Sequence, residues 1–424
     1  MDGQVHGTYY HIYFICQLVI TKPFRKRRLG ECQFGVAAPS PRDVTGGDRV
    51  LAGYNAGMKE RRFFVFFAAA SISLFASLCA TPTPAHDWWK LQKSGTDASL
   101  RGVSVAAISY TLGRMPFPSP VVWVSGSKGT ILRSMDQGET WQSVSPADSR
   151  DLDFRGVVAF DEKTAYAMAS GEGDKSRVYK TTDGGATWRL QFTGDRKEFF
   201  LDSIACTSAT HCYALGDPIG GKFTLLHTDD GEHWNSLPAE NRPDALSGEG
   251  SFAASNSCLL LKSDDEFFFV TGGAKVPGKG ARIFHTSNAG KSWNVTEPPI
   301  AQGNAYSGIF AIASDFDNKR IIVVGGDYKR SDDAKQIAAY SDDNGKTWKS
   351  PKSALHGFRS GVAPLGVNDW IAVGPNGADF SRDNGVHWKR MGKIPLNAIA
   401  SRFAVWAVGP NGTIEAFSSG IALE

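Results

Sequence analysis

From His86 onward the apolar residues gather in short runs, and the runs recur in a fixed order. A first run opens on small or polar residues: Arg101-Gly102-Val103, Arg155-Gly156-Val157, Asp202-Ser203-Ile204, Phe252-Ala253-Ala254, Ser307-Gly308-Ile309, Arg359-Ser360-Gly361-Val362 and Asn397-Ala398-Ile399. A second run ends in glycine, at Gly126, Gly171, Gly216, Gly273, Gly326, Gly374 and Gly409. A third, such as Thr130 to Arg133, leads into a polar turn, and a fourth leaves that turn on a tryptophan. Short runs bounded by turn residues are strands, and four of them at a period of roughly forty to sixty residues predict the blades of a β-propeller.

The turn between the third and fourth strands repeats almost letter for letter. Ser134 to Trp141 returns as Thr181 to Trp188, His227 to Trp234, Thr286 to Trp293, Ser341 to Trp348 and Ser381 to Trp388. Its third position holds Asp136, Asp183, Asp229, Asn288, Asp343 or Asp383, and every copy keeps its glycine and its tryptophan: Trp141, Trp188, Trp234, Trp293, Trp348 and Trp388. An Asp or Asn side chain folds onto backbone N–H groups just ahead of it, and glycine takes a positive φ without steric cost. The tryptophan then starts a strand and packs its ring between neighbouring sheets.

First strands number seven and turns of this kind six. The last unit, Ala398 to Phe417, stops after its third strand, whereas Trp88-Trp89-Lys90-Leu91-Gln92 reads as a fourth strand with none before it, in the manner of Trp188-Arg189-Leu190-Gln191. The expectation is an all-β, seven-bladed β-propeller with four antiparallel strands per blade, closed by its N-terminal strand. Closure removes the sheet edges that an open array would expose. The array spans 86–424 of a 424-residue chain.

Ahead of it, 1–57 lack periodicity and read as upstream extension, non-native or disordered. Met58, Lys59, Arg61 and Arg62 then precede an apolar segment, Phe63 to Ala80, followed by Pro82, Pro84 and Ala85. A basic head, a short apolar core and a small-residue exit predict a signal peptide over 58–85, cleaved after Ala80 or Ala85. Arg61-Arg62 resembles a twin-arginine signal, so the export route stays open between the two known kinds. Leu78 before Cys79 is unlike a lipoprotein site. The mature protein is expected to be periplasmic or secreted.

A net charge of +3 provides no concentrated basic surface for nucleic acid. No Walker loop, dinucleotide fingerprint, zinc-protease motif or nucleophile elbow is present, and neither cofactor nor metal is expected. Cys206 and Cys212 flank a five-residue hairpin tip. In an exported protein that spacing favours a local disulfide over two buried thiols. Cys258, followed by three leucines, reads as a core thiol.

Alternation of strand direction puts the Asp/Gly/Trp turns on one face of the disc. The loops entering first strands and those after second strands lie on the other, at the mouth of the central channel, which is the default ligand site. Candidate binding residues there are Arg101, Arg155, Arg359, Asp217, Glu249 and Asp327. Two readings stay open: the arginines grip an anionic or amide-bearing partner, or they pair with carboxylates and lock the ring.

The repeated turn resembles the Asp-box, or BNR repeat, of sialidases and related propellers, in which it is structural and lies away from the site. With the Arg-Gly strand starts and the export signal, the chain from His86 onward looks most like the photosystem II stability/assembly factor family. That resemblance implies a non-catalytic, monomeric scaffold that binds an exported or membrane protein client through a basic patch, here Arg101, Arg155 and Arg359. The alternative is a glycoside hydrolase or glycan-binding protein. Gly113-Arg114-Met115-Pro116 is a poor echo of the sialidase Arg-Ile-Pro strand, and a glycosidase would draw its two facing carboxylates from Asp217, Glu249 and Asp327.

Overall fold

The computed structural model describes residues 88–112, 115–276, 279–402 and 404–418, with backbone alone over 108–119. The expected upstream extension over 1–57 and the expected signal segment over 58–85, with its cleavage points, lie outside the described residues.

The strands fall in chain order into antiparallel sheets that share one architecture. After β1 (Trp89–Gln92), the first blade is β2 (Leu100–Leu112), β3 (Met115–Gly126), β4 (Thr130–Ser134) and β5 (Gln142–Ser143). The second is β6 (Asp153–Ala159), β7 (Ala165–Ser170), β8 (Arg177–Thr181) and β9 (Arg189–Thr193); the third is β10 (Leu201–Cys206), β11 (Cys212–Ile219), β12 (Lys222–Thr228) and β13 (Asn235–Ser236). The fourth comprises β14 (Leu259–Leu261), β15 (Phe267–Val270), β16 (Ile283–Thr286) and β17 (Asn294–Thr296). The fifth has β18 (Ser307–Ser314), β19 (Ile321–Asp327) and β20 (Ala338–Ser341), its outermost strand reduced to a bridge between Tyr340 and Lys349. The sixth is β21 (Gly361–Pro364), β22 (Trp370–Gly374), β23 (Gly377–Ser381) and β24 (Lys389–Gly392). The seventh contains β25 (Ala398–Ser401), β26 (Val405–Val408) and β27 (Ile414–Phe417), and β1 adds to its outer edge with Trp89 opposite Phe417 and Gln92 opposite Ile414. The N-terminal strand closes the ring as the unpaired third-strand ending requires, and Trp406 Nε1 donates to Gln92 Oε1 at 3.2 Å across the seam.

The boxes act as a repeated hairpin lock. Ser134 Oγ donates to Asp136 Oδ1 at 2.9 Å and accepts the Gly138 N–H at 2.7 Å, while Asp136 accepts the N–H and hydroxyl of Thr140 at 2.9 and 2.6 Å. Those bonds to Thr140 pull the Asp136 carboxyl below its usual range. The same pattern recurs at Asp183, Asn288, Asp343 and Asp383. The third box is different: Thr228 and Asp230 make the lock, with Gly231 N–H on Thr228 Oγ1 at 2.9 Å and Glu232 N–H on Asp230 Oδ1 at 2.7 Å. His227 and Asp229 stand one residue too early, because this turn is a residue shorter than the others. Four of the six box tryptophans then tie their blade to the one before, whereas Trp388 Nε1 donates within its own box to the Gly385 carbonyl at 3.0 Å. Trp188 Nε1 donates to the Val144 carbonyl at 2.7 Å, Trp234 to Gln191 Oε1 at 3.0 Å, Trp293 to the Asn241 carbonyl at 2.8 Å and Trp348 to Thr296 Oγ1 at 3.0 Å. Trp188 also meets Trp123 edge-on at 6.2 Å, inside the apolar layer between the first two blades. Cys206 and Cys212 form a disulfide on the box face, where the Ala209 carbonyl of the same hairpin accepts the Tyr166 hydroxyl at 2.9 Å.

The fourth blade departs from the sequence expectation. Its inner strand is Leu259–Leu261 and not Phe252 to Ala254. Residues 252–258 instead bend across the axis in turns, with Asn256 at φ 58°, a left-handed conformation that asparagine tolerates.

Candidate functional site at the channel mouth

In three blades the inner strand begins with a register shift: between Leu100 and Gly102, between Phe154 and Gly156, and between Leu201 and Ser203. Arg101, Arg155 and Asp202 are the extra residues. A β-bulge leaves its extra residue out of the ladder and re-aims its side chain, so one backbone slot presents a charged group in each of three successive blades. The fifth blade has the same shift between Ile309 and Ala311, and there the slot holds Phe310.

Arg359 does not occupy this slot. The inner strand is aligned by a close backbone approach: a Cβ added at Gly126, Gly216 or Gly374 would stand 2.5, 2.5 or 2.3 Å from the carbonyl oxygen of Ser99, Phe200 or Phe358. Arg101 lies two residues beyond its carbonyl, Asp202 likewise, but Arg359 only one. It therefore takes the place of Leu100 and Leu201, and a one-residue offset on a strand turns the side chain to the other face. Arg359 is fully buried inside its own blade, with Nε on Asp379 Oδ2 at 2.8 Å and Nη1 on the Phe358 carbonyl at 2.8 Å. Asp379 is also held by His356, through Nδ1 at 2.6 Å and its N–H at 3.0 Å. Burial lowers the Arg359 pKa and Asp379 opposes that fall. This arginine is a structural counter-ion within one blade, unavailable to a partner.

The other two arginines share the mouth unequally. Arg155 Nε donates to Asp153 Oδ2 at 2.8 Å and its Nη1 to the Ala253 carbonyl at 3.1 Å. Arg101 Nε is buried without a partner among the described residues, and burial followed by the Arg155 charge depresses its pKa, with Asp153 opposing. Asp153 Oδ1 and Asp202 Oδ2 are orphaned in the same way. A buried polar atom left without a partner costs on the order of 1–3 kcal/mol unless water or a ligand reaches it.

The three carboxylates separate as sharply. Glu249 is wholly committed: it pairs with Arg282, accepts the Thr271 hydroxyl at 2.6 Å and accepts the Leu246 N–H at 2.8 Å. Asp327 accepts from Arg330 Nε at 3.0 Å, the Lys329 N–H at 2.9 Å and Asn304 at 3.3 Å. Burial pushes the Asp327 carboxyl up, but those bonds outweigh it and hold it below the usual range. Asp217 is the exception, pushed up to about 6 by burial against the opposing Ser251 N–H. Its neighbour Asp202, sequestered with it, is raised well above the carboxylate range by burial and by the Asp217 charge, with Arg155 opposing. Asp202 is a mouth residue absent from the sequence candidates; its place at the start of a first strand, in register with Arg101 and Arg155, is the signal that marks it.

The channel is stopped by the chain itself. Asn256 accepts the Ile204 N–H at 2.8 Å and donates to the Ile204 carbonyl at 3.1 Å, Ser255 Oγ donates to the Ser360 carbonyl at 2.5 Å, and the Ser257 carbonyl accepts the Ile312 N–H at 2.9 Å. With Arg155 on Ala253, one short segment touches the second, third, fifth and sixth blades, so a ligand on this face meets a floor. Cys258 at the end of the segment is buried, and burial with the Asp202 charge pushes its thiol pKa up, which removes it as a nucleophile. Among the described residues no group of His, Cys, Asp and Glu is arranged to hold a metal.

The BNR/Asp-box repeat family matches at residues 339–350, the segment holding the Ser341 to Trp348 box. No curated protein matches the chain. Among solved structures, YCF48 bound to D1 peptide is similar with a TM-score of 0.53 at 16% identity, over 79% of this chain and 98% of that one. YCF48 from Cyanidioschyzon merolae gives 0.53 at 16%, over 78% and 98%. The extracellular domain of the putative hybrid two component system BT4673 from B. thetaiotaomicron gives 0.51 at 11%, over 78% of this chain and 40% of that one. At such identities the likeness is one of fold. The chain is a seven-bladed β-propeller with an Asp-box repeat, similar in fold to YCF48 and to the extracellular domain of BT4673.

Proposed function

We propose that this protein is an exported, monomeric and non-catalytic binding platform that holds a polypeptide segment of an exported or membrane protein at the box-distal mouth. The observation that carries the reading is Arg101: a buried guanidinium nitrogen with no partner among the described residues, beside Arg155, above a channel the chain has stopped. A rigid ring with unsatisfied donors at a closed mouth is suited to gripping carboxylates or peptide carbonyls, where arginine offers several donors at once. The similar fold of YCF48, solved with D1 peptide bound, supports a peptide as the ligand class. The leader-like segment upstream supports export.

The test is retention of a client from a native envelope extract by the mature protein, beside an Arg101→Gln/Arg155→Gln variant with unchanged circular dichroism. One protein enriched by the wild type and lost with the variant is the expected result; equal retention by both removes the arginines from the site. Arg359 is left untouched, since its loss would act through folding.

A glycoside hydrolase remains the second reading on one observation. Asp217, at about 6, holds a proton in the range a general acid uses. Glu249 and Asp327 are already engaged by cations, so the second carboxyl would have to be Asp202, which burial holds protonated more firmly than Asp217. Hydrolysis of chromogenic glycosides that disappears in Asp217→Asn would establish it.

A further inference from the structure

The mouth is chemically divided. Where the first three blades present charge, the fifth presents rings from the same strand position. Phe310 stacks on Phe252 with centroids 3.8 Å apart and planes at 5°, and Phe358 meets Phe310 edge-on at 4.6 Å. Phe252 is fixed from behind by two glycines, since a Cβ on Gly272 or Gly308 would lie 2.5 or 3.1 Å from its Cε2. On this base stand two tyrosines from the loops entering β18 and leaving β19. Tyr328 is edge-on to Phe252 at 6.4 Å and to Tyr306 at 5.6 Å, and its N–H donates to the Tyr306 carbonyl at 3.2 Å. Tyr306 and Tyr328 are 46% and 41% exposed, while the rings beneath them are packed. The Lys329 ammonium stands 5.8 Å from the Tyr306 ring and 5.5 Å from the Tyr328 ring. The acids nearby are engaged elsewhere: Asp327 and Asp333 by Arg330, Asp332 by Asn376.

We propose that Tyr306, Tyr328 and Lys329 form a recognition ledge for an extended peptide segment of the partner, taking an aromatic or proline side chain on the tyrosine faces and a neighbouring Asp or Glu on Lys329. The proposal rests on the polypeptide-binding reading above and names what the polypeptide must contain. Rigid exposed tyrosines give large contact area at small entropic cost, and they are the residues on which binding energy concentrates. Proline and aromatic side chains dock on such rings in extended peptides. The charge chooses among occupants. A neutral sugar would leave the ammonium without a counter-ion, and a second copy of this chain in a two-fold contact would bring Lys329 towards its own equivalent. An acidic peptide satisfies Lys329, and its remaining carboxylates face Arg101 across the mouth.

The test uses fluorescein-labelled hexapeptides read by anisotropy on the mature protein: Gly-Glu-Tyr-Pro-Glu-Gly, the same peptide with lysine for glutamate, and one with Ser-Ala for Tyr-Pro. The wild type should prefer the first, and Tyr306→Ala and Tyr328→Ala should each weaken it about tenfold. Lys329→Glu should weaken it by about the same factor and raise affinity for the lysine peptide. Near-ultraviolet circular dichroism checks that each variant is folded. Preference for the lysine peptide, stronger binding of a chito-oligosaccharide probe, or tyrosine variants that bind like wild type would each overturn the ledge. If the tyrosine variants bind normally while Arg101→Gln/Arg155→Gln still loses the client, the ledge fails and the platform stands. If the wild type retains neither peptide nor client, both fail together.

Discussion

At the scale of single residues, the site is decided by where a side chain sits relative to one backbone bulge. Arg101 and Arg359 open similar words in the sequence, Arg-Gly-Val and Arg-Ser-Gly-Val, and only the inserted serine separates them. That serine moves Arg359 into the apolar slot of its blade, where it requires Asp379, and leaves Arg101 at the mouth. The two should respond oppositely to substitution. Arg359→Leu strands a buried carboxylate and is expected to cost about 3–5 kcal/mol, whereas Arg101→Gln should stay within about 1 kcal/mol of wild type; urea unfolding of both variants checks this. Asp217 carries a pH prediction with a definite sign. Its folded pKa, about 6, lies above the ordinary aspartate value, so the folded state binds the proton more tightly. Stability should therefore fall as pH rises from about 4 to about 6, and Asp217→Asn should flatten that slope in thermal unfolding followed across the range. The sequence offered Arg101, Arg155 and Asp217 as candidates on the same footing as Arg359, Glu249 and Asp327. It could not distinguish Arg359, Glu249 and Asp327 from them, because the cations and carboxylates that occupy those three come from loops and strands whose proximity no spacing rule encodes.

At the scale of elements, the repeats were legible because each is a local event. A box closes on itself within eight residues, so its letters carry its structure. The third box shows the limit: Asp229 and Asp230 are adjacent, and only the hydrogen-bond geometry selects the second. The disulfide was legible for the same reason, as a hairpin tip brings Cys206 opposite Cys212. Replacing both by serine should cost about 2 kcal/mol, measured as a shift in denaturant midpoint. The axial segment was not legible, because its partners come from four blades remote in sequence. Asn256 is its principal tie. Asn256→Ala leaves the buried Ile204 N–H unsatisfied and should cost about 2–3 kcal/mol, with the Ile204 amide exchanging faster in hydrogen-exchange mass spectrometry. Asn256→Asp keeps the acceptor and should lose less.

At the scale of the whole molecule, seven similar sheets gain stability as a closed ring, because each blade covers the apolar flank of the next and four of the box tryptophans staple the joins. Removing residues 88–92 should uncover the outer edge of β27, lower the unfolding temperature and produce binding of the dye ANS. The same closure orders events in time. During synthesis β1 is made before any blade, yet its partner β27 is made last of all. Until then β1, the earliest strand among the described residues, lacks its native partner and the ring stays open. Until β27 emerges, any pairing of β1 with an earlier exposed edge would be non-native.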